Sequence, residues 1–228
     1  MTAKLEFYDI LGILVPGLLL LAWLPLCFPG VRDVAVSLSF PDAFSVMALT
    51  AIAILLGHVI QAVGSLFEPL YFRTWGGRPS DRALAEGLGR YLPLDSSQRI
   101  RTKLVHHLGE GATNHSLFLF AIQISEGESR GRAERFNGLY AYHRALLTLL
   151  ILGLVLLLLA QFLRTSIISY PTQFAGVLVA ALLVAALTWH RARQRAFYYI
   201  REVLLTSERV LDDMRNRQGE SMNKGEEG

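Results

Sequence analysis

The stretch ALLTLLILGLVLLLLAQFL, residues 145–163, holds 19 residues and not one charge. Its apolar side chains occupy every helical face instead of one, which suits a helix with apolar surroundings on all sides. At 1.5 Å per residue such a helix is about 28 Å long, close to the roughly 30 Å of a bilayer's hydrocarbon core. A membrane span follows. The same test applied outward finds three more, at residues 10–28, 44–67 and 172–189, the last with its apolar part beginning at Phe174 and with Tyr170 and Trp189 where interfacial aromatics belong. With 52% hydrophobic residues in 228, the chain reads as an all-α membrane protein with four transmembrane helices.

The first run is not read as a cleaved signal. Glu6 and Asp9 precede it beside a single Lys4, no small-x-small site follows, and Pro25 and Leu26 stand before Cys27 where a lipoprotein signal carries small residues. Cys27 is the only cysteine, which excludes an internal disulfide and a cysteine metal cluster and leaves it a small buried apolar residue.

Lys and Arg give the orientation. Of 22 in the chain, 19 fall between the second and third spans or after the fourth, so the positive-inside bias makes both termini and the long loop cytoplasmic, an N-in/C-in protein. Eight acidic residues in the loop and seven in the tail offset this charge, and no footprint for direct nucleic-acid binding remains. The chain divides into a first transmembrane hairpin (1–67), a cytoplasmic helical loop module (68–144), a second hairpin (145–189), a cytoplasmic helical extension (190–217) and a disordered tail (218–228).

The long loop carries helical signals of its own. In PSDRALAEGLGRYL, Ser80 or Asp81 is the expected cap, and Leu84, Leu88 and Tyr91 line one face; in LDSSQRIRTKLVHHLGEG, Asp95 or Ser96 caps, Ile100, Leu104 and Leu108 align, and Gly109 stops the helix. HSLFLFAIQIS, residues 115–125, is too short to span and reads as a helix packed on the module. After the fourth span, Phe197, Ile200, Leu204, Leu211 and Met214 recur at a three-four spacing and form a face for packing on a partner.

Polar residues inside the spans are the candidate site. In LLGHVIQAVGSLFEP, residues 55–69, His58, Gln61, Ser65 and Glu68 are spaced three, four and three apart, bordered by Gly57 and Gly64; His58 lies roughly 5 Å to the cytoplasmic side of that span's midpoint. Two readings stand: glycines that admit a neighbouring helix while the polar groups bond across the contact, or a small ion or proton path. Pro16 and Gly17 predict a bend in the first helix, and the carbonyl that proline leaves without its donor requires a partner on a packed neighbour, read as the second span. Arg135, Tyr142, Arg144, Arg191 and Arg193 read as anchors at the cytoplasmic interface, with Tyr140, His143 and Arg144 a lesser candidate for an anionic headgroup. His106, His107, Glu110 and His115 lack an HExxH order and sit beside glycines that end a helix, so no metal, cofactor or catalytic residue is expected.

Three motifs, YDILGILVPGLLLL (Tyr8, Asp9, Pro16, Gly17), GHVIQAVGSLFE and RFNGLYAYHR, are similar to those of a class of small, uncharacterised bacterial four-helix inner-membrane proteins, some of which belong to antiviral defence systems. The similarity covers the membrane part and the entry to the third span, and it implies a partnered, non-enzymatic role. The sequence therefore predicts an oligomeric scaffold, sensor or effector subunit, in contact with membrane lipid, that presents its module to a soluble cytoplasmic protein; the alternative is a channel or transporter subunit.

Overall fold

A computed structural model describes residues 7–37, 41–126, 132–163, 165 and 170–226. The described residues form eight helices and no strand: α1 (Phe7–Cys27), α2 (Pro29–Ser37), α3 (Asp42–Thr74), α4 (Pro79–Ala85), α5 (Leu94–Leu108), α6 (Asn114–Ser125), α7 (Arg132–Phe162) and α8 (Pro171–Glu226). Four of them, α1, α3, α7 and α8, are long and apolar enough to cross a membrane. The chain separates into two compact units, residues 1–68 with 138–193 and residues 69–137 with 194–228.

The first unit contains the spans. Its core brings Leu20 of α1, Ile60 of α3 and Ala145 and Leu149 of α7 together, and a second cluster sets fully buried Cys27 against Leu157 and Ala160, with Phe174 and Val177 of α8 packed on it. α1 passes unbroken through Pro16 and Pro25, and α3 runs beyond the expected end of its span, through Pro69, to Thr74. α7 begins 13 residues before its apolar run. α8 is one helix of 56 residues that continues to Glu226, through most of the segment expected to be disordered. Extending a helix that already exists avoids the cost of nucleation.

The second unit has a helical hydrophobic core of its own. Leu84, Leu92, Ile100, Leu104, Leu117 and Phe118 are buried together with Ala133, and α8 adds Phe197, Ile200, Leu204 and Leu211. This corrects the expectation of a partner-packing face: four of its five residues are consumed by the chain's own module, and only Met214 is exposed. The seam was long enough to pack on another helix, and the helices its segment meets include α5 and α6.

Local chemistry explains where these helices start and stop. α4 opens with Pro79 at its first position instead of a Ser80 or Asp81 cap, a place where the missing N–H costs nothing. It ends at Ala85 and does not reach Tyr91, because Gly87 and Gly89 turn left-handed at φ +74° and +57°, and a Cβ on Gly87 would come 2.7 Å from the Leu92 carbonyl oxygen. α5 starts behind Pro93 with no side-chain cap, so Asp95 and Ser96 do not serve as expected, while Ser97 donates to the Ala83 carbonyl and Gly109 closes the helix at φ +93°. Leu108, expected on the inner face, is exposed. α6 gains a cap that the sequence reading did not name, Thr113 Oγ1 accepting from Ser116 N at 3.2 Å.

Candidate functional site

α1 and α3 touch backbone to backbone. A Cβ on Gly17 would fall 1.7 Å from the Ala53 carbonyl oxygen, and one on Gly57 would fall 2.0 Å from that of Ile13. Only glycine fits at either place. Helices in lipid gain nothing from excluding water between them, so this close approach is how the pair gains attraction.

That approach solves the problem Pro16 creates. Proline has no N–H to give the carbonyl four residues earlier, which is Gly12, and an unpaired carbonyl in hydrocarbon costs several kcal/mol. Gln61 Nε2 donates to Gly12 O at 2.9 Å. The other end of the same amide accepts from Arg144 Nη2 on α7 at 3.1 Å, so both neighbours agree on which way the amide faces.

Arg144 then closes the site. Its Nη1 pairs with Glu68 Oε1, and Tyr140 donates its hydroxyl to that same oxygen at 3.1 Å, while the guanidinium sits 5.6 Å from the Tyr140 ring centroid. Room for the arginine comes from Gly64, where a Cβ would meet Thr148 Oγ1 at 2.9 Å and the Arg144 side chain at 3.7 Å. Thr148 Oγ1 itself donates to the Arg144 carbonyl at 2.9 Å. The side chains of Arg144 and Glu68 are 15% and 27% exposed, so the pair is largely withdrawn from solvent. The Arg144 Nε is buried and has no hydrogen-bond partner among the described residues. The chain of contacts, from Gly12 through Gln61 and Arg144 to Glu68 and Tyr140, ties α1, α3 and α7 together with one positive and one negative charge.

The polar stripe of α3 is thereby divided. Gln61 and Glu68 lie about 50–70° around the helix from the centre of the buried line Ala53, Gly57, Ile60 and Gly64, whereas Ser65 and His58 lie about 110–130° from it. His58 and Ser65 are exposed, and Ser65 Oγ donates to Gln61 O of its own helix, at 3.1 Å. Arg144 is corrected from an interface anchor to the centre of the joint. Tyr142 is half-buried and its backbone approaches Gly12; Arg135 and Arg191 are exposed; Arg193 lies 6.0 Å from the Trp189 ring centroid. His106 and His107 are exposed at the end of α5, Glu110 follows beyond Gly109, and His115 meets Arg78 at 3.4 Å. No group of three or more His, Cys, Asp or Glu among the described residues is placed to hold a metal.

Two contacts went unseen in the sequence: Trp23 Nε1 donating to Gly153 O at 3.1 Å, and Tyr140 on Glu68. A glycine facing an indole at the depth of the third span is the available signal for the first. For the second it is an acid at the inner end of one span opposite a Tyr-x-x-x-Arg at the inner end of another. No protein-family profile matches the chain, and no curated protein or solved structure matches it at a significant level.

Proposed function

We propose that this protein is a non-enzymatic subunit of a bacterial inner membrane, with both termini inside, that carries its helical module in the cytoplasm for a soluble protein partner. It works as an oligomer, as scaffold, sensor or effector, and antiviral defence is the setting its motif resemblance suggests. One observation carries the reading. A second unit with a hydrophobic core of its own, built from α4 to α6 and the distal part of α8, is joined to four spans. So large a folded part beside the spans has a use if something soluble docks on it.

The competing reading, an ion or proton path along α3, has less support. Gln61 and Glu68 are held by Arg144, and His58 lies about 60–80° further around the helix and is exposed. Purification from native membranes in mild detergent, followed by mass spectrometry, is expected to recover a stoichiometric soluble partner. Repeated recovery of the chain alone would overturn the scaffold reading. A flux in liposomes that His58→Leu and Gln61→Leu abolish would put transport in its place.

A further inference from the structure

His58 lies on the exposed face of a helix long and apolar enough to span, ten residues from Glu68 and 16 from Asp42. At 1.5 Å per residue those are about 15 Å and 24 Å along the axis, well inside a hydrocarbon core. The imidazole makes no hydrogen bond to the described residues. Its short side chain does not reach water, and a polar group facing lipid at this depth is costly. The residues around it are patterned: 48, 51, 55, 58, 62 and 65 recur at spacings of three and four, are Ala, Ala, Leu, His, Ala and Ser, and are exposed except for half-buried Ala48. Small residues in such a row are the geometry of a close, left-handed helix pair.

We propose that this face of α3 is a homotypic interface, on which a second copy of the chain sets its own α3 so that His58 meets His58. The argument for a second copy is depth. Copies inserted with one topology run parallel, and a two-fold axis along the membrane normal places every residue opposite itself. A neutral imidazole has one donor and one acceptor, so two of them share one hydrogen bond, one giving and one receiving. Any other helix would have to supply a polar group at this one level.

The proposal deepens the oligomeric part of the function read above, and two measurements keep them apart. In a Cys27→Ala background, single cysteines at His58, Ala62 and Val59 are placed in the full-length chain and oxidised in native membranes. His58→Cys and Ala62→Cys are expected to form disulfide-linked dimers about tenfold more than Val59→Cys, which points about 100° from His58 and about 60° from Ala62, because a disulfide requires a Cα separation of roughly 4.4–6.8 Å. Native mass measurement of the unmodified chain reads oligomerisation through any face. Oligomers without cysteine pairing at 58 and 62 overturn this interface and leave the oligomer standing; a monomer overturns both. In the dimer, His58→Leu is expected to weaken association about threefold to twentyfold and His58→Asn to restore part of it. Association unchanged by His58→Leu would remove the imidazole from the argument.

Discussion

The membrane unit is held together where its side chains are smallest, and the second unit where they are largest. α1, α3 and α7 meet at Gly12, Gly17, Ala53, Gly57, Gly64 and Ala145, joined by one polar chain; the second unit buries Leu84, Ile100, Leu104, Phe118 and Leu204. The difference matches what lipid and water each demand of a fold. In water, burying apolar area is the main driving force, about 25 cal/mol per Å², and large side chains bury most. In lipid a leucine is no better off against a leucine than against an acyl chain, so backbone proximity and hydrogen bonds decide how the helices pack. Both units also contain ion pairs, Arg144–Glu68 in one and Arg99 and Lys103 with Glu208 and Asp212 in the other.

The sharpest way to break the comparison is to remove one charge from the membrane pair. Glu68→Leu leaves Arg144 buried without its counterion, and the expected loss is about 3–5 kcal/mol. Removing both, Glu68→Leu with Arg144→Leu, leaves no orphaned charge and is expected to recover most of that. Thermal unfolding in detergent, followed by Trp fluorescence, reads both. A double variant as unstable as the single one would mean that the joint works through shape and not charge.

Leu104→Ala comes next, in the second unit, where truncating a fully buried leucine is expected to cost about 2–5 kcal/mol. Gly57→Ala makes the opposite change in the membrane unit, adding one carbon where the Ile13 carbonyl already sits, and should cost about 1–3 kcal/mol or more. Gly176→Ala, with nothing within 4 Å of the added carbon, is the neutral control. If the larger side chain were tolerated at Gly57 as at Gly176, close approach would not be what holds α1 to α3.

Much of this was legible in the sequence, for reasons that differ by residue. The spans were, because uncharged runs of this length have few uses in water, and so was the need for a partner at the carbonyl that Pro16 strands, because a missing N–H is a local fact. Arg144 was misread as an anchor. Position along the chain puts it where interfacial arginines belong, and only the approach of α7 to Glu68 and Gly64 makes it internal. The stripe on α3 was seen as one unit since a wheel drawn on spacing alone does not say where the neighbouring helix stands, and the edge of that contact falls between Gln61 and Ser65. Phe197 to Leu211 was read as a face awaiting a partner because periodicity reports that a helix packs, not on what.

The smallest expected effect separates the two ion-pair sites by pH and salt. Burial works to raise the Glu208 carboxyl, but hydrogen bonds from Arg99 and Lys103 and their charge outweigh it and hold the group below the usual range. A carboxyl with a lowered folded pKa adds stability that is fully present above its unfolded value and is lost as pH falls through the folded one. The second unit should therefore weaken as pH drops below the ordinary Glu value of about 4.3, and Glu208→Gln should flatten that part of the curve. Because Arg99 is 56% exposed, its pairing should also weaken in 1 M salt, where charges are screened within about 3 Å, while the less exposed Arg144–Glu68 pair keeps most of its strength. Hydrogen exchange on backbone amides of α5 and α3, taken at two pH values and two salt concentrations, separates the units within one sample. A loss confined to α5 would show that solvent access, not the identity of the charges, sets what each pair is worth; an equal loss in α3 would mean that the Arg144–Glu68 pair is as open to solvent as its counterpart.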